Sequence, residues 1–317
     1  MKPTGTEMLL AEIFPGLKPL HRSGKCDAWW LPPGPGCGAR VGLSVDGSWA
    51  TLQLNARHPC QADRLEALAE HSAWPGGVKH VGSGHRPVLR VDVPLLVESA
   101  AGRAWVVRQL HLSAQGLQIA VGRQPHTEAP PEDAATEADP ELTAQALATC
   151  GWNIRVKPDG AIRIDVEVRR APWTVMLEAC AGATRASVTV AASALAQAPA
   201  PCRDAAGLLL TRASSALRWA RPFVTREREA LASTGFECFV AAPPDDRALR
   251  LAVDTLLAAC ERFGLEIEAL LEHPELAQRY LEYVFGMRPQ APDDVPSAGI
   301  AAARPPAPSP TASAVGF

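Results

Sequence analysis

Residues 245–263 hold the pattern that most narrows the fold. Leu249, Ala252, Val253, Leu256, Leu257, Cys260 and Phe263 recur three and four apart, so on a helix they share one face. Arg247, Arg250, Asp254, Glu261 and Arg262 mostly take the other face. Asp245 and Asp246 supply a side-chain cap and negative charge where the first amides of a helix are unpaired. Gly264 follows the last apolar position, and a glycine there enters the left-handed conformation at little cost, so the helix is expected to stop. Such a helix needs a surface to cover its stripe. The strand-like run 236–241 just before it points to a sheet.

Further strands are legible by alternation. Ile162, Ile164, Val166 and Val168 interleave with Arg163, Asp165, Glu167 and Arg169, the mark of an antiparallel strand with one dry and one wet face. Residues 40–45 and 48–56 alternate in the same way around Asp46-Gly47, a strong two-residue hairpin signal. Runs 87–96, 152–156, 173–180, 185–191 and 229–241 read as further strands. Helices are expected at 6–14, 61–74, 141–150, 204–220, 265–272 and 275–285. Arg212, Arg218 and Arg221 then lie toward the C-terminal half of the 204–220 helix, where cations suit its dipole. The segment 105–121 fits a helix and a strand-rich reading alike, with Gly116 weighing against the helix. The class is therefore α+β, with antiparallel sheets and helices packed on them.

Composition narrows the function. Hydrophobic residues make up 47% of the 317, enough for a sizeable core. The formal net charge of −3 gives no support to a broad nucleic-acid or anionic-membrane surface. No apolar run approaches the ~20 residues of a membrane span, and the first 20 residues lack the apolar stretch of a signal peptide. The eight cysteines include no C-x-x-C pair, and free thiols fit a reduced, cytoplasmic protein. The richness in Ala, Arg, Pro and Gly fits a bacterial source with a GC-rich genome.

The stretch 124–140 (QPHTEAPPEDAATEADP) is acidic, rich in Pro and Ala, and reads as a linker. It divides the chain into a domain at 1–123 and a second at 141–286, followed by a Pro/Ala-rich tail at 287–317 expected to be disordered. Both halves show strand, Asp-Gly, strand, then helix, strand and a final helical segment, a degenerate duplication in which hairpins 41–56 and 154–168 correspond.

The second half, with its helix at 141–150, strands over 153–190, middle helix 204–220, ALASTGFECFVA at 230–241 and LAVDTLLAACERFG at 251–264, resembles the domain shared by type III secretion chaperones and YbjN-type bacterial proteins. That resemblance implies a non-catalytic module that binds a protein or peptide partner, often as a dimer. A tandem would replace the dimer within one chain, making a monomer with pseudo-dimeric halves. The extension 265–285 departs from the basic pattern, and its apolar residues read equally as core or as a docking helix for a partner.

Candidate partner-binding residues are Trp152, Trp173, Trp219, Leu276, Tyr280, Leu281, Val284 and Phe285, since aromatic and large apolar groups serve interfaces as well as cores. His71, His80 and His85 lack the spacing of a metal site, so a solvated loop is expected, with no metal and no cofactor. Gly82-Ser83-Gly84 lacks the Lys and Ser/Thr of a phosphate cradle. Asp165 and Glu167, flanked by Arg163 and Arg169, read as a surface charge ladder rather than an acid–base pair. Cys150 and Cys180 read as buried thiols, and Cys238 and Cys260 as core residues. With no nucleophile elbow, H-E-x-x-H or dinucleotide fingerprint, a non-enzymatic binding protein is expected. The alternatives are a structural subunit of a larger assembly and an enzyme whose site is assembled only in space.

Overall fold

The alternation read from the sequence is realised in two antiparallel sheets. A computed structural model of the chain describes residues 18–22, 27–30, 42–46, 48–55, 64–72, 74–81, 88–120, 140–168, 171–180, 182–228 and 230–285. The expected helix at 6–14, the body of the linker, Gly82-Ser83-Gly84, His85 and the tail lie outside them.

The first sheet comprises β1 (Lys18–Arg22), β2 (Asp27–Trp30), β3 (Gly42–Asp46), β4 (Trp49–Asn55), β5 (Lys79–Val81) and β6 (Val88–Pro94). Helix α1 (Arg64–Ser72) joins β4 to β5, and α2 (Ala100–Ala120) follows β6. The second half opens with α3 (Pro140–Ala148) and continues with β7 (Asn153–Val156), β8 (Ile162–Val168), β9 (Ala171–Cys180) and β10 (Ala183–Ala191). Then come α4 (Ala194–Gln197), α5 (Ala200–Ala216), β11 (Arg221–Glu227), β12 (Ala230–Ala241) and α6 (Asp246–Ala259). A π-helical turn at Cys260–Gly264 leads into α7 (Leu265–Glu272), and α8 (Pro274–Phe285) closes the described chain.

The two sheets share one topology. Their strand orders are β1-β2-β3-β4-β6-β5 and β11-β12-β10-β9-β8-β7, the second being the first read from its other end. In each, four strands run as a meander, a helical segment intervenes, and two more strands add at the far side. This corrects the expected correspondence of hairpins. The 41–56 hairpin, β3–β4, holds the place of β9–β10, and the partner of β7–β8 is β1–β2. The sequences of β1 and β2, KPLHR and DAWW, are too short and too little alternating to be recognised.

Burial follows the pleat. Ala50, Leu52 and Leu54 of β4 are buried while Gln53 is exposed, and on β8 Ile162 and Ile164 are buried while Arg163 points outward. The segment 105–121 resolves as helix, because Trp105, Gln109, Ser113 and Leu117 recur at helical spacing and are all buried. Buried apolar residues from both halves form one contiguous cluster.

Two expected helix ends move. Asp245 caps α6 as expected, its carboxylate accepting from the amides of Arg247 (3.0 Å) and Ala248 (3.3 Å). Gly264, however, is helical (φ −60°), and the chain runs through it into α7. Glycine is needed there for space: a Cβ would stand 2.7 Å from Cη2 of Trp173. Helix α5 stops at Ala216 rather than 220. The next residues turn through Trp219, whose φ of 59° is rare for a bulky side chain, and its burial against Trp105 offsets that strain.

Candidate functional site

The helix between the two parts of each sheet packs on the other sheet. Helix α1 lies along β11, α5 lies along β5, and α1 and α5 touch each other. A seam between the halves results, and the most deeply buried charges among the described residues line it.

Arg221, first residue of β11, is 1% exposed. Its Nε donates to Oε1 of Glu237 on the neighbouring β12 at 2.8 Å. Its remaining donors cross the seam to four carbonyls at the end of α1 and beyond: His71 (3.0 Å), Ser72 (3.2 Å), Trp74 (2.8 Å) and Val78 (2.8 Å). The last carbonyls of a helix have no partner within it, and the rigid five-donor fork of a guanidinium suits them. The sequence reading placed Arg221 at the C-terminus of its own helix; it serves the C-terminus of the other half's helix instead.

Lys79, first residue of β5, mirrors this. Its ammonium pairs with Asp92 of β6 at 2.9 Å, donates across the seam to the carbonyl of Leu217 at the end of α5, and lies 3.4 Å from that of Ala220. Burial pushes the Lys79 ammonium down, opposed by Asp92. Burial also pushes the Asp92 carboxyl up, but Lys79, Arg90 and the Thr51 hydroxyl together hold it below its usual range. Each half thus supplies a buried cation, neutralised by its own carboxylate, that caps the other half's middle helix. Hydroxyls repeat the exchange: Val224 N–H donates to Ser72 Oγ (2.9 Å), and Ser214 Oγ donates to the His80 carbonyl (2.6 Å).

The histidines depart from the sequence reading. His71 ends α1 and is buried; His80 sits on β5, and their rings stack at 3.8 Å with Trp74 alongside. They belong to the seam, not to a solvated loop. Burial lowers the His71 pKa to about 3, aided by His80 and Arg221, and lowers His80 to about 4. Among the described residues no group of three or more His, Cys, Asp or Glu is placed to hold a metal ion.

Where the first half ends on the outer face of the second sheet, a crevice of about 440 Å³ remains open. Trp74, Leu112, Phe223 and Phe239 give it an apolar lining, with Arg185 and Cys180 at its side. The Arg185 guanidinium lies 5.1 Å from the Phe223 ring centre, and its Nε donates to Oε2 of Glu237 at 2.6 Å. Cys180 is exposed, not buried as expected, though packing around its sulfur pushes the thiol up. Cys238 and Cys260 are buried as read. Asp165 accepts from Arg163 (2.9 Å) and Thr174 (2.8 Å) on the outer face, the Arg163–Asp165 part of the expected charge ladder; Arg169 lies outside the described residues.

The residues proposed for partner contact separate into two groups. Trp219 (2% exposed) and Trp173 (6%) are core, the first against Trp105 and the second against Gly264, so neither meets a partner in this conformation. Trp152 is half-buried against the same core. On α8, Ala277 is buried and Tyr280, Leu281 and Val284 are half-buried, while Leu276 (41%) and Phe285 (53%) are exposed. Tyr283, not singled out in the sequence, is 83% exposed. Arg212 of α5 donates to the Tyr280 hydroxyl at 3.2 Å. The 265–285 extension is not an appendage: Ile267, Leu270, Leu271 and Ala277 belong to the core.

Sequence reasoning missed Lys79, Asp92, Arg185, Arg221 and Glu237. A signal existed for Glu237, an acid inside the apolar run GFECFVA. A lone acid in a buried strand demands a partner. No helix among the described residues is long and apolar enough to cross a membrane. No protein-family model matches the chain, and no curated protein or solved structure matches it.

Proposed function

We propose that the chain is a non-enzymatic adaptor or chaperone-like protein that binds a protein or peptide partner, with its two halves standing in for the two subunits of a dimer. The single observation behind this reading is the open apolar pair on α8, where Leu276 and Tyr283, seven residues apart on one face, stay exposed although the helix is anchored by Ala277. Large apolar groups left in water on an ordered helix fit a docking face for a partner's apolar segment. The tandem reading rests on the shared strand order and on the exchange of helix caps across the seam. The family it resembles, of type III secretion chaperones and YbjN-type proteins, adds a cytoplasmic bacterial setting to the proposal.

Deleting 265–285 would remove core residues, so point changes make the better test. The paired change Leu276→Asp and Tyr283→Asp should leave thermal unfolding within a few degrees of the parent. It should abolish recovery of the partner that co-purifies with the parent at fixed ratio from native cells, read by mass spectrometry and light scattering. Undiminished recovery would overturn the assignment of α8.

A further inference from the structure

We propose that the crevice beside Arg185 binds an apolar carboxylate, with an aromatic or branched aliphatic group in the recess and the carboxylate on the guanidinium. The proposal is independent of the α8 reading.

The argument starts from the charges on the outer face of the second sheet. Glu237 is 1% exposed and carries one negative charge between two guanidiniums. Arg221 takes its Oε1 and Arg185 its Oε2. Arg221 spends its other donors on carbonyls. Arg185 does not: beyond Glu237 it has a long ion pair with Glu178, whose Oε2 stands 3.7 Å from NH1 on a half-exposed side chain. An ion pair that long and that exposed is weak, so a ligand carboxylate would take the place of Glu178 on terminal nitrogens suited to a carboxylate fork. Arg185 borders a recess of about 440 Å³ lined by Trp74, Leu112, Phe223 and Phe239. That volume is at the small end of the usual range for small-molecule sites and ample for a phenyl or branched side chain. The Phe223 ring, its centre 5.1 Å from the guanidinium carbon, attracts the cation and holds it beside the recess.

Isothermal calorimetry on the full chain tests this with 3-phenylpropanoate and its uncharged amide. The acid should bind roughly tenfold or more tightly than the amide, the worth of a charge-assisted contact. Arg185→Gln should remove the preference, Arg185→Lys should keep part of it, and Ala183→Leu, which narrows the recess, should weaken acid and amide together. A tripeptide ending in phenylalanine separates the two sources of this chemistry: tighter binding than 3-phenylpropanoate assigns the site to a peptide's end, weaker binding to a free acid. Equal affinity for acid and amide, no heat for either at millimolar concentration, or a preference that survives Arg185→Gln would each overturn the proposal. The acid–amide comparison on the unaltered protein decides even if Arg185→Gln fails to fold.

Discussion

Lys79 and Arg221 hold matching places in the two halves. Each opens the strand at one margin of its sheet, pairs with a carboxylate of the next strand, and reaches across the seam to the end of the other half's middle helix. Their chemistry differs. The ammonium is a point charge that meets Asp92 and the turn after α5. The guanidinium is a fork that holds Glu237 and four carbonyls spread from His71 to Val78. The α1 end includes a three-residue 3-10 turn at Pro75–Gly77 before β5 begins, so its carbonyls are scattered and a branched donor is required. The comparison teaches that the halves share an architecture of capping while each cap is fitted to the shape of the chain end it meets.

The sharpest way to break the comparison is Arg221→Met, which leaves four carbonyls without their donor in a buried setting and leaves Glu237 with Arg185 alone. It should cost about 3–5 kcal/mol, read as a drop in the urea midpoint. Lys79→Met should cost less, about 2–3 kcal/mol, because two carbonyls rather than four lose their donor and Asp92 keeps Arg90 and Thr51 as partners. A larger loss from Lys79 than from Arg221 would reverse the ranking and refute the account of the fork.

Acid should attack the seam from the first half. His71 and His80 must stay neutral when folded, with pKa values near 3 and 4, while the unfolded chain protonates near the usual 6.5. The unfolded state therefore binds more protons below pH 6.5. Stability falls as pH drops through that value and levels off below the folded pKa values. The loss from pH 7 to pH 5 should be on the order of 2 kcal/mol for each of the two histidines. The double variant His71→Gln, His80→Gln should show a flatter profile in the same titration. The second half has no imidazole among the described seam residues, so an equally steep profile in that variant would sink the explanation. Smallest of all, Arg226→Ala should remove the half-exposed Arg226–Glu66 pair across the seam for about 1 kcal/mol or less.

Much of the second half was legible because its strands alternate and α6 carries its own cap. The side chains of β8 and α6 point where their spacing dictates. The seam was not legible, and the reason is physical. Arg221 follows an apolar helix directly, so local pattern assigns it to that helix's last turn; only the partners across the seam, 143 to 150 positions away, reveal its place on a strand. Lys79 and His80 lie next to Gly76-Gly77, which reads as loop, and three residues are too few to show a strand's period. Gly264 was recognised as special for the wrong reason, since sequence shows a glycine's freedom and not the Trp173 ring that needs its lack of a side chain. The crevice arises from Trp74 and Leu112 meeting Arg185 and Phe223, residues of opposite halves.

The hydrogen bonds at the seam have a consequence for how the protein behaves when crowded. The Val224 amide lies on β11 and the His80 carbonyl on β5, the terminal strands of their sheets, and they are occupied by Ser72 and Ser214. Unspent backbone groups along a terminal strand are where foreign strands attach and fibrils begin to grow. By laying its middle helix there, each half shields the other from aggregation at that margin, and damage to either half unmasks an adhesive border on its neighbour.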